Sequence, residues 1–456
     1  MSWTEASPRC EAAALPFRCP VYQRTGSGYH SQTKDSLALP KGNCMPVMDL
    51  GMSDRVGPLV EQVRDIVRNE VIPLEGEYEA EIGKGAERWT HTPRMEEIVE
   101  GLKTKARAKG LWNFFLTHSR KGVGLNTVEY AYLAEEMGWS RLGPQVFNCS
   151  APDTGNMEVL EKYGSEAHKK TWLEPLLDGR IRSAFIMTEP NVASSDATNI
   201  STEAKLVGDE WVINGEKWFS SGAGDPRCKI YIVMVKTNPD APKHRQHSQI
   251  LVPAGTKGVN ILRSLKIYGH DHAPHGHMHI RFENCRVPKD HMILGEGRGF
   301  EISQGRLGPG RIHHAMRAIG QAERALEALC RRSLSRVAFG KKLAELGANY
   351  DIIAEARMEI EQARLLCLKA AWMMDNAPST EARIWISQIK VVAPRMALKV
   401  IDETVQMHGG MGVTQDTPFA MAWTYMRTLR LADGPDAVHR RVIGRHELKR
   451  YTNEKT

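Results

Sequence analysis

The chain has 456 residues, of which 41% are hydrophobic and 25% are charged, a composition typical of a soluble globular protein with about two or three domains. The formal net charge of +7 is compatible with a phosphate-bearing ligand, but the absence of a long Lys/Arg block disfavours a nucleic-acid partner. No apolar run approaches the roughly 18 residues of a membrane-spanning helix, and the eight Cys form no CxxC pair, which favours an intracellular protein with reduced thiols.

The N-terminal segment differs from the rest of the chain. Residues 1–48 are rich in Pro, Ser and Gly and have no sustained apolar period, so they are predicted to be a disordered leader. A transit peptide is a weaker alternative because the segment also carries acidic residues, Glu5, Glu11 and Asp35. The expected compartment is cytoplasmic for a bacterial protein and mitochondrial or peroxisomal for a eukaryotic one.

A helical period begins at Ser53. Apolar residues from Val56 to Val67 share one helix face, and Pro73 is expected to end this helix. The stretch from Met95 to Leu102 and the segment NTVEYAYLAEEMG repeat the helical pattern. Residues 50–182 are therefore predicted to form an N-terminal helical domain.

The period changes to that of strands after Arg182. In EWVINGEKWF, Asn214 and Gly215 stand between two β-rich runs, which predicts a hairpin turn. KIYIVMVK and SQILVPA are predicted strands, and HMHIRF alternates apolar with polar residues. Residues 183–292 are predicted to form a middle β-domain.

Long helical patterns return in residues 293–456, which are predicted to form a helix bundle. The predicted helices cover 311–338, 350–375, 382–407 and 434–451. The order helix, strand, helix contains no βαβ alternation, and no P-loop is present. A Rossmann-type nicotinamide site or a nucleoside triphosphate site is therefore not expected.

The run YGHDHAPHGHMHI, residues 268–280, is rich in histidine. A zinc site needs several ligands that converge on one point. His277 and His279 share a strand face, whereas His270, His272 and His275 fall in a Pro/Gly turn. A solvated or hydrogen-bonded turn is favoured, and no metal site is predicted.

Two hydroxyl-rich stretches, AFIMTEPNVASSDATN and NGEKWFSSGAGD, lie at the start of the β-region and at the end of one of its strands. Taken alone, the first stretch is typical of a turn in which a Ser or Thr hydroxyl bonds the backbone, together with a helix cap. Together with the aromatic residues of the second, they also supply what a flavin needs, a ring face and hydroxyl donors at its edge.

These stretches belong to a set of six that occurs in the same order in a known family: MTEP…SSD, WVINGEKWFSSGAGD, FENCRVPKDHMILGEGRGF, RVAFGKKL, QMHGGMGVTQD and LADGPDAVHRR. From about residue 50 to its end the chain resembles the acyl-CoA dehydrogenase family. GRLGPGRIHHAMR and RLADGPD resemble most closely the dehydrogenase module of family members 10 and 11. The resemblance implies an α+β multidomain fold: an N-terminal helical domain, a middle β-barrel-like domain and a C-terminal four-helix bundle.

The resemblance also implies FAD as the cofactor. The residues matched to flavin contacts within one subunit are Thr188, Ser195, Phe219 and Ser221. Phe219 stands where Trp is usual, Ser221 replaces Thr, and the loop with Ser195 is one residue longer than in the family. A second set matches residues that reach the FAD of a neighbouring subunit, which implies a homodimer or homotetramer: Arg336, Phe339, Gln406, Gly409 and Gly410. Near this set, Ala338 replaces a hydroxyl residue and Gly347 falls where Gln is common.

Asp433 in LADGPDAVHRR is the candidate catalytic base. From its pattern alone, Asp-Gly-Pro before a helix favours a helix-capping role. The resemblance instead aligns Asp433 with the family's base glutamate, and the position that holds the base in other branches is occupied by Leu307 and Gly308, which cannot accept a proton. Asp436 is expected at the helix N-terminus. The residues matched to substrate contacts are Ser195, Arg311 and Gly434.

The implied reaction is α,β-dehydrogenation of an acyl-CoA thioester to the trans-2-enoyl-CoA, with electrons passed to electron-transferring flavoprotein. Two alternatives stay open. One is an acyl-CoA oxidase that uses oxygen, and the other is a non-catalytic, DNA-binding flavoprotein of the same fold. No nucleic-acid or membrane partner is predicted.

Overall fold

The computed structural model describes residues 47–85 and 88–452, so all but the last two residues of the predicted leader lie outside the described part. The first described segment is helical. Its α-helices are α1 (Val56–Ile66), α2 (Ile72–Glu81), α3 (Pro93–Ala108), α4 (Thr127–Gly138), α5 (Gly143–Val146), α6 (Asp153–Tyr163), α7 (Glu166–His168) and α8 (Glu174–Leu177).

Pro73 does not end the first helix, contrary to the prediction. Helix α1 continues into a π-helical turn, Val67–Val71, and α2 starts at Ile72 with Pro73 in its first turn. A proline is tolerated there because the first N–H groups of a helix need no intrahelical acceptor, and its φ already suits a helix. The π turn is hydrogen-bonded i→i+5 instead of i→i+4, and the chain therefore stays helical from α1 into α2.

The middle of the chain forms one seven-stranded sheet. Its strands pair in the order β1-β4-β2-β3-β7-β6, and β5 pairs with β4. The predicted alternation in HMHIRF is confirmed, since Met278, Ile280 and Phe282 are buried. The strands are β1 (Arg182–Ile186), β2 (Glu203–Val207), β3 (Glu210–Ser221), β4 (Cys228–Lys236), β5 (His247–Pro253), β6 (Val259–Ser264) and β7 (His277–Pro288).

The hairpin predicted at Asn214 and Gly215 is wrong, because β3 runs through both residues without turning. Gly215 has φ 145°, and the pairing of β3 with β7 shifts between Ile213 and Gly215, which marks a bulge. A Cβ on Gly215 would lie 2.6 Å from the Thr202 hydroxyl, so close packing, not a turn, explains the glycine. The turn before β3 contains Gly208, at φ 62°.

A buried ion pair ties the sheet to the loop after β1. The Lys217 ammonium on β3 lies 2.9 Å from a carboxylate oxygen of Glu189, and the Lys217 side chain is fully buried. Glu189 also accepts hydrogen bonds from Ser201 and from the backbone N–H of Thr202. Burial alone would raise the pKa of Glu189, but Lys217 and these donors hold it at about 2. The pair therefore stays charged near neutral pH and fixes the position of Thr188, next to Glu189.

The C-terminal part is a bundle of long helices. Its predicted first helix is longer than expected, since it starts at Gly299 and passes through Pro309. Glycines in this helix serve packing: a Cβ on Gly305 would lie 2.5 Å from the Tyr163 hydroxyl, and one on Gly320 would lie 2.0 Å from the Glu135 carbonyl oxygen. The elements are α9 (Gly299–Ser335), β8 (Val337–Ala338), β9 (Lys341–Lys342), α10 (Asn349–Asn376), α11 (Ser379–His408), α12 (Phe419–Leu429) and α13 (Asp436–Lys449). The prediction had omitted α12.

Within residues 47–85 and 88–452, no helix has the combined length and apolar character needed to cross a lipid bilayer.

We predict that Lys217→Met lowers the free energy of unfolding by about 3 kcal/mol, because it leaves the Glu189 carboxylate buried without its cation. The matched control is Lys205→Met on β2, which removes an exposed pair with Glu203 of the same strand and should cost less than about 1 kcal/mol. Chemical denaturation of both variants measures the difference. Equal losses would contradict a structural role for the buried pair.

Candidate active site

A cavity of about 1470 Å³ lies where the helical segments meet the sheet. This volume exceeds that of a typical small-molecule pocket and leaves room for more than one ligand. Its walls come from all three parts of the chain. They include Tyr78 and Gln145 from the first helices, Thr188 and Phe219 from the sheet region, and Asp433 from the loop between α12 and α13.

The backbone around Asp433 is held by donors on three helices. Arg311 on α9 and His439 on α13 each place a nitrogen 3.2 Å from the Asp433 carbonyl oxygen. The Lys390 ammonium on α11 lies 2.5 Å from the Leu429 carbonyl oxygen at the end of α12. These contacts hold Asp433 at φ 53°, a left-handed conformation that is uncommon for a residue with a side chain.

The Asp433 side chain does not cap helix α13. The helix starts after Pro435 and has no side-chain cap, whereas Asp436 lies in its first turn and accepts a hydrogen bond of 2.8 Å from Arg430. The Asp433 side chain is 22% exposed, and its Oδ2 lies 3.4 Å from Nε2 of His314. Because Asp433 also lines the cavity, its carboxylate is placed to meet a ligand there.

The charges around Asp433 keep its carboxylate ionised. Burial would raise its pKa, but His314, Arg306, Arg311 and Lys390 together lower it below the ordinary value. Burial also lowers the pKa of His314 to about 4 and that of Lys390 to about 8. Near neutral pH, His314 is therefore uncharged and the three remaining cations stabilise the carboxylate.

The four residues predicted to contact flavin within one subunit, Thr188, Ser195, Phe219 and Ser221, line the same cavity as Asp433. The Thr188 carbonyl oxygen accepts a hydrogen bond of 2.9 Å from the backbone N–H of Trp218. In the long loop after Thr188, the hydroxyl of Ser194 bonds the backbone N–H of Glu189, while Ser195 is exposed. Within the described residues, the Ser195 hydroxyl makes no such bond.

The residues predicted to reach a neighbouring subunit lie apart from the cavity, in contrast to the first set. Arg336 and Phe339 follow the end of α9, and the Phe339 side chain is 96% exposed. Gln406, Gly409 and Gly410 are exposed at the end of α11. Within one chain, the structure does not bring these five residues together with Asp433.

Sequence reasoning missed three groups near Asp433: Arg306, His314 and Lys390. Arg306 and His314 flank Arg311 on α9, and the Arg306 guanidinium lies 4.0 Å from the centre of the Phe185 ring. Lys390 stands alone in the apolar stretch SQIKVVAP, and its side chain is buried. A single lysine on an otherwise apolar helix face was the signal that could have found it.

The histidine-rich run forms a hydrogen-bonded turn, as favoured from the sequence. His277 bonds both Ser221 and His272, at 2.7 and 3.0 Å. In the described part of the chain, no group of three or more His, Cys, Asp or Glu side chains is arranged to hold a metal ion.

Gly434 offers a direct test of the loop geometry. It has φ 97°, and a Cβ there would lie 2.9 Å from Nε2 of His439. We predict that Gly434→Ala lowers the free energy of unfolding by about 3 kcal/mol, from backbone strain together with the displaced His439. Gly208→Ala, at φ 62° with open space around it, should cost only the strain of about 1 kcal/mol. If the denaturation curves of the two variants coincided, this geometry would be contradicted.

Comparison with known proteins identifies the family. Profiles described as Acyl-CoA dehydrogenase N-terminal, middle and C-terminal domain match residues 57–180, 184–285 and 297–448.

Individual relatives agree with these profiles. Acyl-CoA dehydrogenase family member 11 of Mus musculus is 51% identical over 402 residues, which cover 87% of this chain and 51% of that protein; the chain thus spans about half of its length. FadE2 of Mycobacterium tuberculosis, named a probable acyl-CoA dehydrogenase, is 51% identical over 88% of this chain and 98% of its own. A solved structure from Mycobacterium abscessus has a TM-score of 0.85 and 52% identity, covering 88% of this chain and 100% of that one. The chain therefore belongs to the acyl-CoA dehydrogenase family of oxidoreductases.

Proposed function

We propose that the protein catalyses α,β-dehydrogenation of an acyl-CoA thioester to the trans-2-enoyl-CoA, with FAD as cofactor and Asp433 as the base. The observation that carries this proposal is the ionised Asp433 carboxylate inside the large cavity. The carboxylate has a neutral histidine at 3.4 Å and nearby cations, but it is not used as a helix cap. A half-buried carboxylate that caps no helix and borders a ligand-sized cavity is a candidate general base.

The cavity residues fit an FAD ring system. Thr188, Ser195 and Ser221 supply hydroxyl groups along the wall, and Trp218 and Phe219 supply aromatic faces with ring centres 5.2 Å apart. Among the described residues, the buried indole N–H of Trp218 has no hydrogen-bond acceptor, which a bound group with acceptor atoms would provide. When bound, FAD supplies the acceptor for the hydride that leaves the β-carbon.

In this proposal Asp433 removes the α-proton of the substrate. No described residue accepts a hydrogen bond from the Asp433 backbone N–H, so this group is available to polarise the thioester carbonyl. Arg311 and His439 bind the Asp433 carbonyl oxygen, and they therefore orient both the side chain and the backbone of the base. Ser195, Arg311 and Gly434 are the proposed substrate-contacting residues.

The exposed residues at and near Phe339 support the formation of a homo-oligomer. Phe339 is 96% exposed, and Val337 and Leu334, close to it in the sequence, are 60% and 59% exposed; exposed apolar residues that are grouped in this way mark an interaction surface. We propose that Arg336, Phe339, Gln406, Gly409 and Gly410 contact the FAD of a neighbouring subunit in a homodimer or homotetramer.

Electron-transferring flavoprotein is the proposed electron acceptor, and an intracellular compartment is proposed: cytoplasmic in a bacterium, mitochondrial or peroxisomal in a eukaryote. The cysteines Cys149, Cys228, Cys285, Cys330 and Cys367 are free thiols, which supports a reducing environment.

Asp433→Asn should leave FAD bound and abolish bleaching of the flavin by acyl-CoA, because an amide cannot take the α-proton. Anaerobic absorbance measurements with a panel of acyl-CoAs test this, and they also report the preferred chain length. The control is Asp436→Asn, three residues away and paired with Arg430, which should still bleach. Unchanged bleaching in Asp433→Asn would remove Asp433 from the mechanism.

The dehydrogenase and oxidase alternatives differ in the fate of the electrons. During aerobic turnover of an acyl-CoA, the protein is expected to release little hydrogen peroxide and to reduce electron-transferring flavoprotein at the rate of substrate use. Stoichiometric peroxide would instead establish an oxidase. Salt-sensitive DNA binding without acyl-CoA turnover would support the non-catalytic alternative.

A further inference from the structure

Three hydrogen-bonded side chains connect the histidine-rich turn with the cavity. His277 at the start of β7 pairs in register with Ser221 at the end of β3. The Ser221 hydroxyl lies 2.7 Å from Nδ1 of His277, and Nε2 of His277 lies 3.0 Å from Nδ1 of His272. All three residues line the cavity. The three side chains therefore form one continuous hydrogen-bonded chain that ends at the cavity wall.

Both histidines are neutral near neutral pH. Burial lowers the pKa of His272 and of His277 to about 4. The neighbouring Asp271 carboxylate is engaged with Arg88. Each imidazole therefore carries one N–H and one nitrogen without hydrogen. The two hydrogen bonds can then be donated in only two ways. Either Ser221 donates to His277, or His277 donates to Ser221.

The outer nitrogen of His272, at the end of this series of hydrogen bonds, decides which direction is favoured. Nε2 of His272 is buried and has no hydrogen-bond partner among the described residues. If Ser221 donated to His277, this nitrogen would carry a buried N–H without an acceptor. In the reverse direction it carries only an unused lone pair, and proteins leave acceptors unused more often than donors. The second direction is therefore favoured, with the Ser221 hydroxyl as the acceptor from His277.

We propose that His277 and His272 are positioning residues that free the Ser221 hydroxyl hydrogen to donate into the cavity, to an acceptor at the edge of a flavin ring. This inference rests on the proposed function, because the acceptor belongs to the proposed cofactor. The other acceptor near the hydroxyl, the Phe219 carbonyl oxygen, is 3.4 Å away, too far for a strong hydrogen bond. The hydroxyl hydrogen is thus left for the ligand.

The test measures FAD binding by the full chain, freed of flavin and titrated with FAD. His277→Ala should weaken FAD binding by about three- to tenfold, the effect of one misdirected hydrogen bond, and should shift the visible absorption bands of the bound flavin. His277→Asn keeps an N–H near the position of Nδ1 and should restore affinity to within about twofold. The control is His279→Gln on the same strand face, where His279 contacts Glu216; it should change neither readout.

A double-mutant cycle separates positioning from a general structural effect. In a Ser221→Ala background, His277→Ala should have no further effect on FAD affinity. An equal loss in both backgrounds would overturn the inference, as would failure of His277→Asn to restore binding or a His277→Ala variant that binds FAD normally. If the unmodified chain binds no FAD at all, the proposed function fails and this inference fails with it.

Discussion

The site depends on three basic side chains that donate hydrogen bonds to backbone carbonyls at the end of α12 and in the loop before α13. Arg311, Lys390 and His439 come from three different helices. Arg311 and His439 donate to the Asp433 carbonyl oxygen within the loop, and Lys390 donates to the Leu429 carbonyl oxygen at the end of α12. Together they impose a left-handed backbone at Asp433, which a free chain would adopt rarely. These donors set the direction of the Asp433 side chain, and two of them, Arg311 and Lys390, act together with Arg306 to keep its carboxylate ionised.

This arrangement requires the helices to meet at close range, and α9 provides the common contact surface. Its glycines allow it to pack against α4 and α6 at distances that no larger residue permits. The same helix carries Arg306, Arg311 and His314, so its packing fixes three of the groups around Asp433. On the other side of the cavity, the Lys217–Glu189 pair fixes the Thr188 loop against β3. One wall of the cavity is thus held by close glycine packing of α9, and another by the buried Lys217–Glu189 pair.

The sequence was sufficient for those features that depend on local pattern. The helix–strand–helix order and the alternation in β7 follow from the hydrophobic period, whereas the hydroxyl and aromatic residues of the cavity wall were identified through motifs that resemble a known family. It was misleading where a residue serves tertiary packing. Asn214-Gly215 has the sequence of a hairpin turn, but Gly215 is needed because a side chain there would collide with Thr202. The glycines of α9 are typical of a loop, although they lie inside a helix. The lone lysine in an apolar helix face marks Lys390 as unusual, but its place beside Asp433, like that of His314, could not be predicted, because only the fold brings these distant helices together.

In the proposed reaction, the Asp433 carboxylate removes the α-proton of a bound acyl thioester. The most direct measurement uses an acyl-CoA analogue with sulfur in place of the β-carbon, which can lose an α-proton but cannot release a hydride. In D₂O, the unmodified protein should exchange deuterium into the α-position, and Asp433→Asn should not, although it binds the analogue with similar affinity. Exchange at the same rate in both proteins would show that another group takes the proton.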